Sequence, residues 1–415
     1  MPVKECIILA GGLGTRLRSA VSEVPKCMAP VAGQPFLKYV IRYLLSQGVE
    51  KYIFSLGYKH EIIEDFLNKE FPALDYQVSL EDEPLGTGGA IQLACKRAIE
   101  PNIVVVNGDT IFKADIKETF AIHKKKKAEC TLLLKPMKNF DRYGVVELES
   151  DHSIHNFIEK QFFQNGDINA GLYILNVQDF LNRGLPSRFS FEKDYLGEFL
   201  LSKKFFGNIQ DVYFIDIGIP EDFIRAQDEL KQIPFHLENI KQGWTLFLDR
   251  DGVINYEKEN DYILNWDEFE FYPGVTEAIQ LLSEKFETII VVSNQRGVGR
   301  GLMTEANLLD IQNKMKIEVE KDGGRIDKIY YCISTDAKNF CRKPNPGMAL
   351  QASKDFPAIE FSKAVMVGNK LSDMQFGRNA GTYTVYLKTT HPHQMLPHPD
   401  IDLSFNSLLD FAKAL

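Results

Sequence analysis

Residues 4–16 read KECIILAGGLGTR, a β-rich apolar run that breaks abruptly into a glycine-rich turn. The run predicts a buried strand. The backbone N–H groups of such a turn can hold phosphate oxygens, and Arg16 adds a fixed cationic group beside them. The turn has neither the Gly-Lys-Ser/Thr of a Walker loop nor the spacing of the dinucleotide fingerprint. A tight structural turn would explain these glycines as readily as a phosphate site does.

Strands and helices alternate along the chain that follows this turn. Apolar residues recur at helical spacing over 36–45, while 52–56 and 103–106 are short β-rich apolar runs. This alternation predicts an α/β domain with a mostly parallel sheet. Residues 131–148 and 168–175 are richer in strands, and we expect them to form an added β-region over the sheet.

A second α/β pattern begins near residue 240, where the strand 244–248 runs directly into Asp249. A chain of 415 residues is long enough for two to three domains, each with its own core. Because the second pattern has its own first strand, we predict domains at 1–232 and 244–415, joined by a linker at 233–243.

Composition excludes several classes of function. The formal net charge of −9 argues against a nucleic-acid or membrane-surface binder, since both need a basic face. No apolar run approaches the length of a membrane span, and the first residues lack the pattern of a secretory signal. The six cysteines are scattered without the spacing of a disulfide framework. We therefore expect a cytoplasmic enzyme, with a homo-oligomer possible.

A series of short motifs follows the glycine-rich turn. They are PKCMAPVAGQPFL at 25–37, EPLGTGGA at 83–90, NGD at 107–109, YGV at 143–145, EK at 159–160, NAG at 169–171 and DIG at 216–218. In this order they resemble the motifs of the sugar-1-phosphate nucleotidyltransferases, over about the first 230 residues. The resemblance implies a Rossmann-like, GT-A-like domain.

The resemblance implies that a sugar 1-phosphate oxygen attacks the α-phosphorus of a nucleoside triphosphate and that pyrophosphate leaves. Positioning and charge neutralisation dominate such a reaction. By this resemblance, Asp109 and Asp216 hold Mg²⁺ between the phosphates. Arg16 and Lys26 steady the triphosphate, and Lys160 holds the sugar phosphate. The other residues implied to contact nucleotide or sugar are Leu9, Gly11, Gly12, Gly14, Thr15, Gly86, Thr87, Gly144, Glu159 and Asn169.

Two carboxylates, Asp249 and Asp251, follow the strand 244–248. The two carboxylates of such a pair can have different roles in phosphate chemistry. One can attack phosphorus, while the other donates a proton to the leaving group. The pair alone could also be a capping turn. Further motifs follow in the chain: SNQRGVGRG at 293–301, CRKPNPGM at 341–348 and GNKLSD at 368–373.

Together these motifs resemble those of the haloacid-dehalogenase-type phosphatases, in particular the branch that contains histidinol-phosphate and heptose-bisphosphate phosphatases. The resemblance implies a Rossmannoid domain in which Asp249 is the nucleophile and Asp251 the acid and base. The other implied roles are phosphoryl binding by Ser293, Asn294 and Lys343, contact with a second phosphate by Arg300 and Arg342, and Mg²⁺ binding by Asp249, Asp251, Asn369 and Asp373. The segment from Asp251 to Pro273 is short, so we expect no large cap domain.

The second half departs from this branch at two places. Asn369 stands where the family has an aspartate that binds Mg²⁺, so Mg²⁺ affinity should fall, with Asp373 available to compensate. Relatives also carry a zinc loop with four ligands, of which only Cys332 and Cys341 remain here. We therefore predict that these two cysteines are plain thiols and that no zinc is bound.

The two halves together imply a bifunctional enzyme of nucleotide-activated heptose synthesis. Removal of the 7-phosphate from D-glycero-D-manno-heptose 1,7-bisphosphate would leave heptose 1-phosphate. The first half, which resembles heptose 1-phosphate guanylyltransferases, would then transfer a nucleotidyl group to it, with GTP the favoured donor. The alternative is a mannose or other hexose 1-phosphate nucleotidyltransferase fused to a histidinol-phosphatase-like or inactive regulatory domain. The base, the sugar and its anomer, the oligomeric state and any channelling stay open.

Overall fold

The computed structural model describes residues 3–12, 24–158, 161–199, 202–258 and 261–415. The chain divides into two compact units, Met1–Gln232 and Ile233–Leu415, and each has a hydrophobic core of its own. Across the described residues, no helix combines the length and apolar character that a membrane span requires.

The elements of the first unit alternate at its start and become strand-rich towards its end. The strands are β1 (Glu5–Leu9), β2 (Pro30–Val31), β3 (Gln34–Pro35), β4 (Lys51–Leu56), β5 (Asp75–Leu80), β6 (Asn102–Asn107), β7 (Thr110–Phe112), β8 (Cys130–Phe140), β9 (Val145–Leu148), β10 (Ile154–Ile158), β11 (Phe163–Asn176), β12 (Phe205–Ile209) and β13 (Phe214–Asp216). The α-helices are α1 (Phe36–Ser46), α2 (His60–Glu70), α3 (Gly86–Cys95), α4 (Ile116–Lys126), α5 (Val177–Leu181), α6 (Gly197–Phe199) and α7 (Pro220–Glu229).

In the described part of this unit, nine strands form one sheet, in which β5, β4, β1 and β6 are parallel neighbours. Leu9 pairs with Ser55 on one side and with Asn107 on the other. The carboxyl ends of these three strands therefore meet at one edge, which is where ligands of α/β sheets usually bind.

The strand-rich region extends this sheet rather than covering it. β11 pairs antiparallel with β6, and β8 pairs with β11. Our expectation of an added layer over the sheet is wrong, because the free edge of β6 takes β11 as its next strand. The pairing of β11 with β8 is interrupted between Asn169 and Tyr173, so the backbone there departs from the regular ladder.

The second unit is a parallel sheet enclosed by helices. Its strands are β14 (Thr245–Leu248), β15 (Thr288–Asn294), β16 (Lys328–Cys332), β17 (Ala364–Gly368), β18 (Tyr383–Leu387) and β19 (Leu403–Phe405). Its α-helices are α8 (Val275–Lys285), α9 (Arg296–Gly299), α10 (Glu305–Lys321), α11 (Gly347–Asp355), α12 (Leu371–Ala380) and α13 (Leu408–Lys413). The strand order is β16-β15-β14-β17-β18-β19, with parallel pairing throughout.

β14 lies at the centre of this sheet and is buried on both faces, as its unbroken apolar run predicts. Between Asp251 and Pro273 the described residues form one short 3₁₀ turn, Trp266–Glu268, so this connection carries no large cap. Phe235, from the segment that we expected to be a linker, is buried and stacks on Tyr383 with ring centroids 4.4 Å apart. That part of the segment packs on the second unit.

Candidate active sites

Lys26, Asp109 and Asp216 meet at the carboxyl edge of the first sheet. Asp109 follows β6 through a turn in which Gly108 donates its N–H to the carbonyl of Leu9 at 2.9 Å. Asp216 reaches the same place because β13 pairs antiparallel with β7, which begins directly after Asp109. The Lys26 ammonium forms an ion pair with Asp109 and lies 3.6 Å from Oδ1 of Asp216.

The electrostatics of this triad leave one negative charge in excess. Burial by itself would lower the pKa of Lys26, but Asp109 and Asp216 outweigh burial and raise the pKa. Burial, followed by the nearby charge of Asp109, raises the pKa of Asp216. Gly218 makes room for the lysine, because a Cβ there would lie 1.9 Å from Lys26 Nζ. We quoted Gly218 only as part of a motif, without a role of its own.

A cavity of about 690 Å³ opens beside this triad. It is lined by three residues that we predicted to bind sugar or metal, namely Gly144, Asn169 and Asp216. The side chain of Asn169 braces the irregular part of β11, since it accepts the N–H of Gly171 at 3.1 Å and donates to the Tyr173 hydroxyl at 2.9 Å. Asn169 thus shapes the cavity wall.

Sequence reasoning missed several polar residues of this cavity. They are Thr110, Arg142, Ser190, Glu192, Lys193 and Glu221. Thr110 and Arg142 border motifs that we quoted, whereas Ser190, Glu192 and Lys193 lie on a segment without a recognised pattern. The position of Ser190, Glu192 and Lys193 depends on the path of the chain after β11, which no local signal in the sequence encodes.

The other predicted nucleotide residues are spread along the same edge. Gly11 follows β1, and a Cβ there would lie 3.0 Å from Oε1 of Glu81, whereas Gly12 faces open space among the described residues. Gly86 begins α3 with a φ of +73°, which favours glycine. The Thr87 hydroxyl contacts Glu192 within the protein. The predictions that fall outside the described residues are Gly14, Thr15, Arg16, Glu159 and Lys160.

The second unit has a comparable triad, formed by Asp249, Lys343 and Asp373. The Lys343 ammonium lies 2.8 Å from Oδ1 of Asp249 and 2.7 Å from Oδ1 of Asp373. Asp249 directly follows the central strand β14, and Asp373 lies in the first turn of α12, where it accepts the N–H groups of Asn369 and Lys370. All three members of the triad are buried.

Burial governs the protonation of this triad. Burial first, and the charge of Asp373 second, raise the pKa of Asp249 to about 7, although Lys343 opposes the shift. Burial alone would lower the pKa of Lys343, but its two aspartates outweigh burial and raise it. Lys343 therefore stays charged, and Asp249 changes its charge near neutral pH.

Asp251 has the opposite environment, although it lies only two residues further on. Burial would raise its pKa, but Arg250 and the amides of Asn255 and Gln295 hold the pKa below its ordinary value. The buried Arg250 guanidinium lies 2.9 Å from Oδ1 of Asp251, and Gln295 donates to Oδ2 at 2.9 Å. Gln295 also donates to the Ser293 hydroxyl at 2.7 Å. We assigned roles to Ser293 and Asp251 but missed Arg250 and Gln295.

Two asparagines orient the groups around Asp249. Asn294 holds the backbone of Lys343 from both sides, since its Oδ1 accepts the Lys343 N–H at 3.0 Å and its Nδ2 donates to the carbonyl at 3.2 Å. Asn369 donates from Nδ2 to the Thr390 hydroxyl at 2.8 Å. Its Oδ1 is buried and accepts no hydrogen bond from the described residues.

Arg300 and Arg342 lie near each other, together with Arg296, which we did not predict. Burial first, and then the charges of Arg296 and Arg300, lower the pKa of Arg342. Nη1 of Arg342 and Nε of Arg296 are buried without a hydrogen-bond partner among the described residues. Buried cationic donors without a partner favour an anion as ligand.

Our prediction that Cys332 and Cys341 are plain thiols is wrong, because they form a disulfide with their Cα atoms 5.7 Å apart. The loop between them returns to the end of β16, where the Cys332 carbonyl accepts the N–H of Gln295 at 2.8 Å. The scattered spacing of the six cysteines gave no sign of this pairing. The four free cysteines of the described residues, Cys6, Cys27, Cys95 and Cys130, are all buried.

Two family models match the chain, one in each compact unit. Residues 5–233 match the family model described as nucleotidyl transferase, and residues 245–407 match the one described as polynucleotide kinase 3 phosphatase. The families that the motifs indicated, a nucleotidyltransferase and a haloacid-dehalogenase-type phosphatase, are confirmed.

Individual relatives match one unit each. The chain is 50% identical over 227 residues to the D-glycero-alpha-D-manno-heptose 1-phosphate guanylyltransferase of Aneurinibacillus thermoaerophilus, covering 55% of this chain and 98% of the relative. It is 35% identical over 179 residues to the D-glycero-alpha-D-manno-heptose-1,7-bisphosphate 7-phosphatase of Mycobacterium bovis, covering 43% of this chain and 94% of the relative. The crystal structure of HddC from Yersinia pseudotuberculosis complexed with GMP-PN matches with a TM-score of 0.50 and 37% identity, covering 55% of this chain and 100% of that one.

Proposed function

The chain belongs to the nucleotidyl transferase family in its first unit and to the family of heptose-bisphosphate phosphatases in its second, and we propose that it catalyses two consecutive steps. The second unit removes the 7-phosphate of D-glycero-D-manno-heptose 1,7-bisphosphate. The first unit then transfers GMP from GTP to the resulting heptose 1-phosphate and releases pyrophosphate. One observation carries this proposal: the two relatives are named for reactions in which the product of one is the substrate of the other.

In the phosphatase step, the carboxylate of Asp249 attacks the phosphorus of the 7-phosphate, and the bond from phosphorus to the sugar oxygen breaks. Lys343 keeps this carboxylate in place and neutralises charge on the phosphoryl oxygens. Asp251 gives its proton to the leaving sugar oxygen. It then takes a proton from the water that attacks the aspartyl-phosphate, and inorganic phosphate leaves.

The surroundings of Asp251 suit its role as a base. Arg250 and Gln295 hold it in the ionised form. A phosphate dianion bound beside it would raise its pKa and allow it to take up the proton that the first step requires. The arginines Arg296, Arg300 and Arg342 provide the charge that the 1-phosphate of the same substrate needs.

In the transfer step, an oxygen of heptose 1-phosphate attacks the α-phosphorus of GTP, and the bond to the bridging oxygen of pyrophosphate breaks. The charged Lys26 lies where negative charge develops. The choice of a guanine nucleotide as donor is supported by the crystal structure of HddC complexed with GMP-PN. HddC is 37% identical to the matched part of this chain. The open cavity beside Asp216 has room for the sugar.

The donors in both sites fit Mg²⁺. In the first unit, Asp109 and Asp216 would hold it, since one lysine neutralises only part of their combined charge. In the second, Asp249 and the unpartnered Oδ1 of Asn369 would hold it, with Asp373 near by. When bound, Mg²⁺ supplies positive charge beside the phosphate oxygens.

The test is ³¹P NMR of the purified protein with heptose 1,7-bisphosphate and Mg²⁺, followed by GTP. We expect inorganic phosphate from the 7-position first, and then the signals of a pyrophosphate diester and free pyrophosphate. If no phosphate is released while mannose 1-phosphate and GTP react readily, the heptose assignment is wrong. The alternative hexose enzyme with an inactive second unit would then hold.

A further inference from the structure

The N-terminus of α3, where a phosphate would ordinarily find free N–H groups, is occupied by the protein itself. The N–H groups of Gly88 and Gly89 both donate to the carbonyl of Phe189, at 3.0 and 3.3 Å. A Cβ at position 88 would lie 2.2 Å from the Phe189 ring. The loop before α3 and the segment around Phe189 are therefore packed into one body without space for a ligand between them.

Thr87 connects the same two segments. Its hydroxyl donates to Oε2 of Glu192 at 2.8 Å and accepts the N–H of Phe191 at 2.9 Å. A threonine hydroxyl has a single proton to donate. While this contact persists, Thr87 cannot donate a hydrogen bond to a substrate, which is the role that its motif implied.

Glu192, which accepts the hydrogen bond from Thr87, also lines the cavity. It lines the space of about 690 Å³ together with Gly144 and Asn169, which we predicted to contact the sugar. The Ser190 hydroxyl also donates to Oε2, at 3.1 Å. Within the described part of the chain, the hydrogen bonds that Glu192 accepts through its side chain fall on Oε2, so Oε1 is available to a ligand.

We propose that Thr87 is a positioning residue that holds Glu192 against the sugar, so that the carboxylate accepts hydrogen bonds from sugar hydroxyl groups. A carboxylate accepts charge-assisted hydrogen bonds from hydroxyl groups and repels phosphate. Glu192 therefore admits the hydroxyl-bearing end of a sugar phosphate and directs its phosphate towards the opposite side of the cavity. This inference rests on the proposed transferase activity.

The proposal links the motif at 83–90 to the side of the cavity that carries Glu192. The motif at 83–90, whose second half begins α3, resembles the base- and sugar-contacting loop of the family, and Thr87 ties it to the wall that carries Glu192. A change at Thr87 should therefore weaken sugar binding through Glu192, without loss of a direct contact between Thr87 and the sugar.

The test compares Thr87→Val, Thr87→Ser and Glu192→Gln in steady-state transfer with GTP and heptose 1-phosphate. Valine keeps the shape of threonine but removes the hydroxyl, whereas serine retains the hydroxyl. We expect Thr87→Val to raise KM for the sugar phosphate about tenfold, with KM for GTP within about twofold of the wild type. Thr87→Ser should behave like the wild type, and Glu192→Gln should raise the same KM as Thr87→Val does.

Three results would overturn the proposal. One is a Thr87→Val variant with both KM values unchanged. Another is a rise in KM for GTP alone, with Thr87→Ser equally defective, because that would assign Thr87 to the nucleotide base. The last is a normal Glu192→Gln variant. Thermal unfolding in the presence of GTP checks that each variant is folded. A wild-type protein that forms no product with any sugar 1-phosphate would instead refute the proposed function, and this inference with it.

Discussion

Each unit places a lysine between two aspartates at the carboxyl ends of parallel strands, but the two triads differ in exposure. The side chains of Lys26, Asp109 and Asp216 are between 19% and 27% exposed. Those of Lys343, Asp249 and Asp373 are at most 9% exposed. The same three charged groups are thus partly exposed in one unit and buried in the other.

The two proposed mechanisms account for this difference in exposure, because they differ in which molecule supplies the nucleophile. In the proposed transfer, both reacting groups come from ligands, so the protein supplies charge around an open cavity. In the proposed phosphatase step, Asp249 itself attacks. Burial raises its pKa to about 7 and removes it from water, which makes it a stronger nucleophile than an exposed carboxylate once ionised.

The largest effect that should separate the two triads is on stability when the lysine is removed. Lys343→Met leaves two buried carboxylates without a partner and should lower the free energy of unfolding of its unit by about 3–5 kcal/mol. Lys26→Met is the matched control and should cost about 1 kcal/mol or less, because its partners remain in contact with water. Chemical denaturation of both variants measures this contrast. Equal losses would mean that exposure does not distinguish the triads.

A smaller effect should separate Asp249 from Asp251 within the second unit. The folded-state pKa of Asp249 is raised to about 7, so its ionisation costs stability as pH rises from about 4 to 7. Asp249→Asn removes that cost and should stabilise the protein above pH 7 by on the order of 1–3 kcal/mol, with no gain at pH 3.

Asp251→Asn should have the opposite sign. The folded-state pKa of Asp251 is depressed, so its contribution to stability is present above its unfolded pKa and is lost as pH falls through the folded value. The variant should be less stable than the wild type at pH 7, and the deficit should disappear in acid. Unfolding measured from pH 3 to pH 8 checks both variants, and parallel curves for the two would contradict the account.

The smallest effect concerns Mg²⁺ in the second unit. Asn369→Asp restores a negative charge at a buried oxygen that has no partner among the described residues, so Mg²⁺ should bind more tightly, by on the order of tenfold. Calorimetric titration of Mg²⁺ into Asp109→Asn and into the double variant Asp109→Asn/Asn369→Asp isolates this site from that of the first unit. Unchanged affinity would mean that Asn369 does not face the metal.

The residues that sequence could predict are those fixed by local patterns. Asp249 was found because a five-residue apolar run ends in front of it, and Asp109 because a strand and a tight turn precede it. In the structure both lie at the ends of central parallel strands, where such patterns place them. The fold class followed from the same alternation of strands and helices.

Several residues that sequence missed depend on contacts between distant segments. Glu192 meets Thr87 across 105 positions, and Gln295 reaches Asp251 across 44. The disulfide of Cys332 depends on the path of the loop that follows it. No local periodicity or sequence motif predicts such long-range contacts, because they result from how whole helices, strands and loops pack.

The most direct test of the central claim, that each triad serves its own reaction on phosphorus, uses two single-site variants. Asp249→Asn should convert heptose 1-phosphate and GTP to product but release no phosphate from the 1,7-bisphosphate. Asp109→Asn should do the reverse. Mixed together with bisphosphate, GTP and Mg²⁺, the two variants should restore formation of the nucleotide sugar, which neither forms alone. If either variant loses both reactions, or if the mixture forms no product, the assignment of one triad to each reaction is wrong.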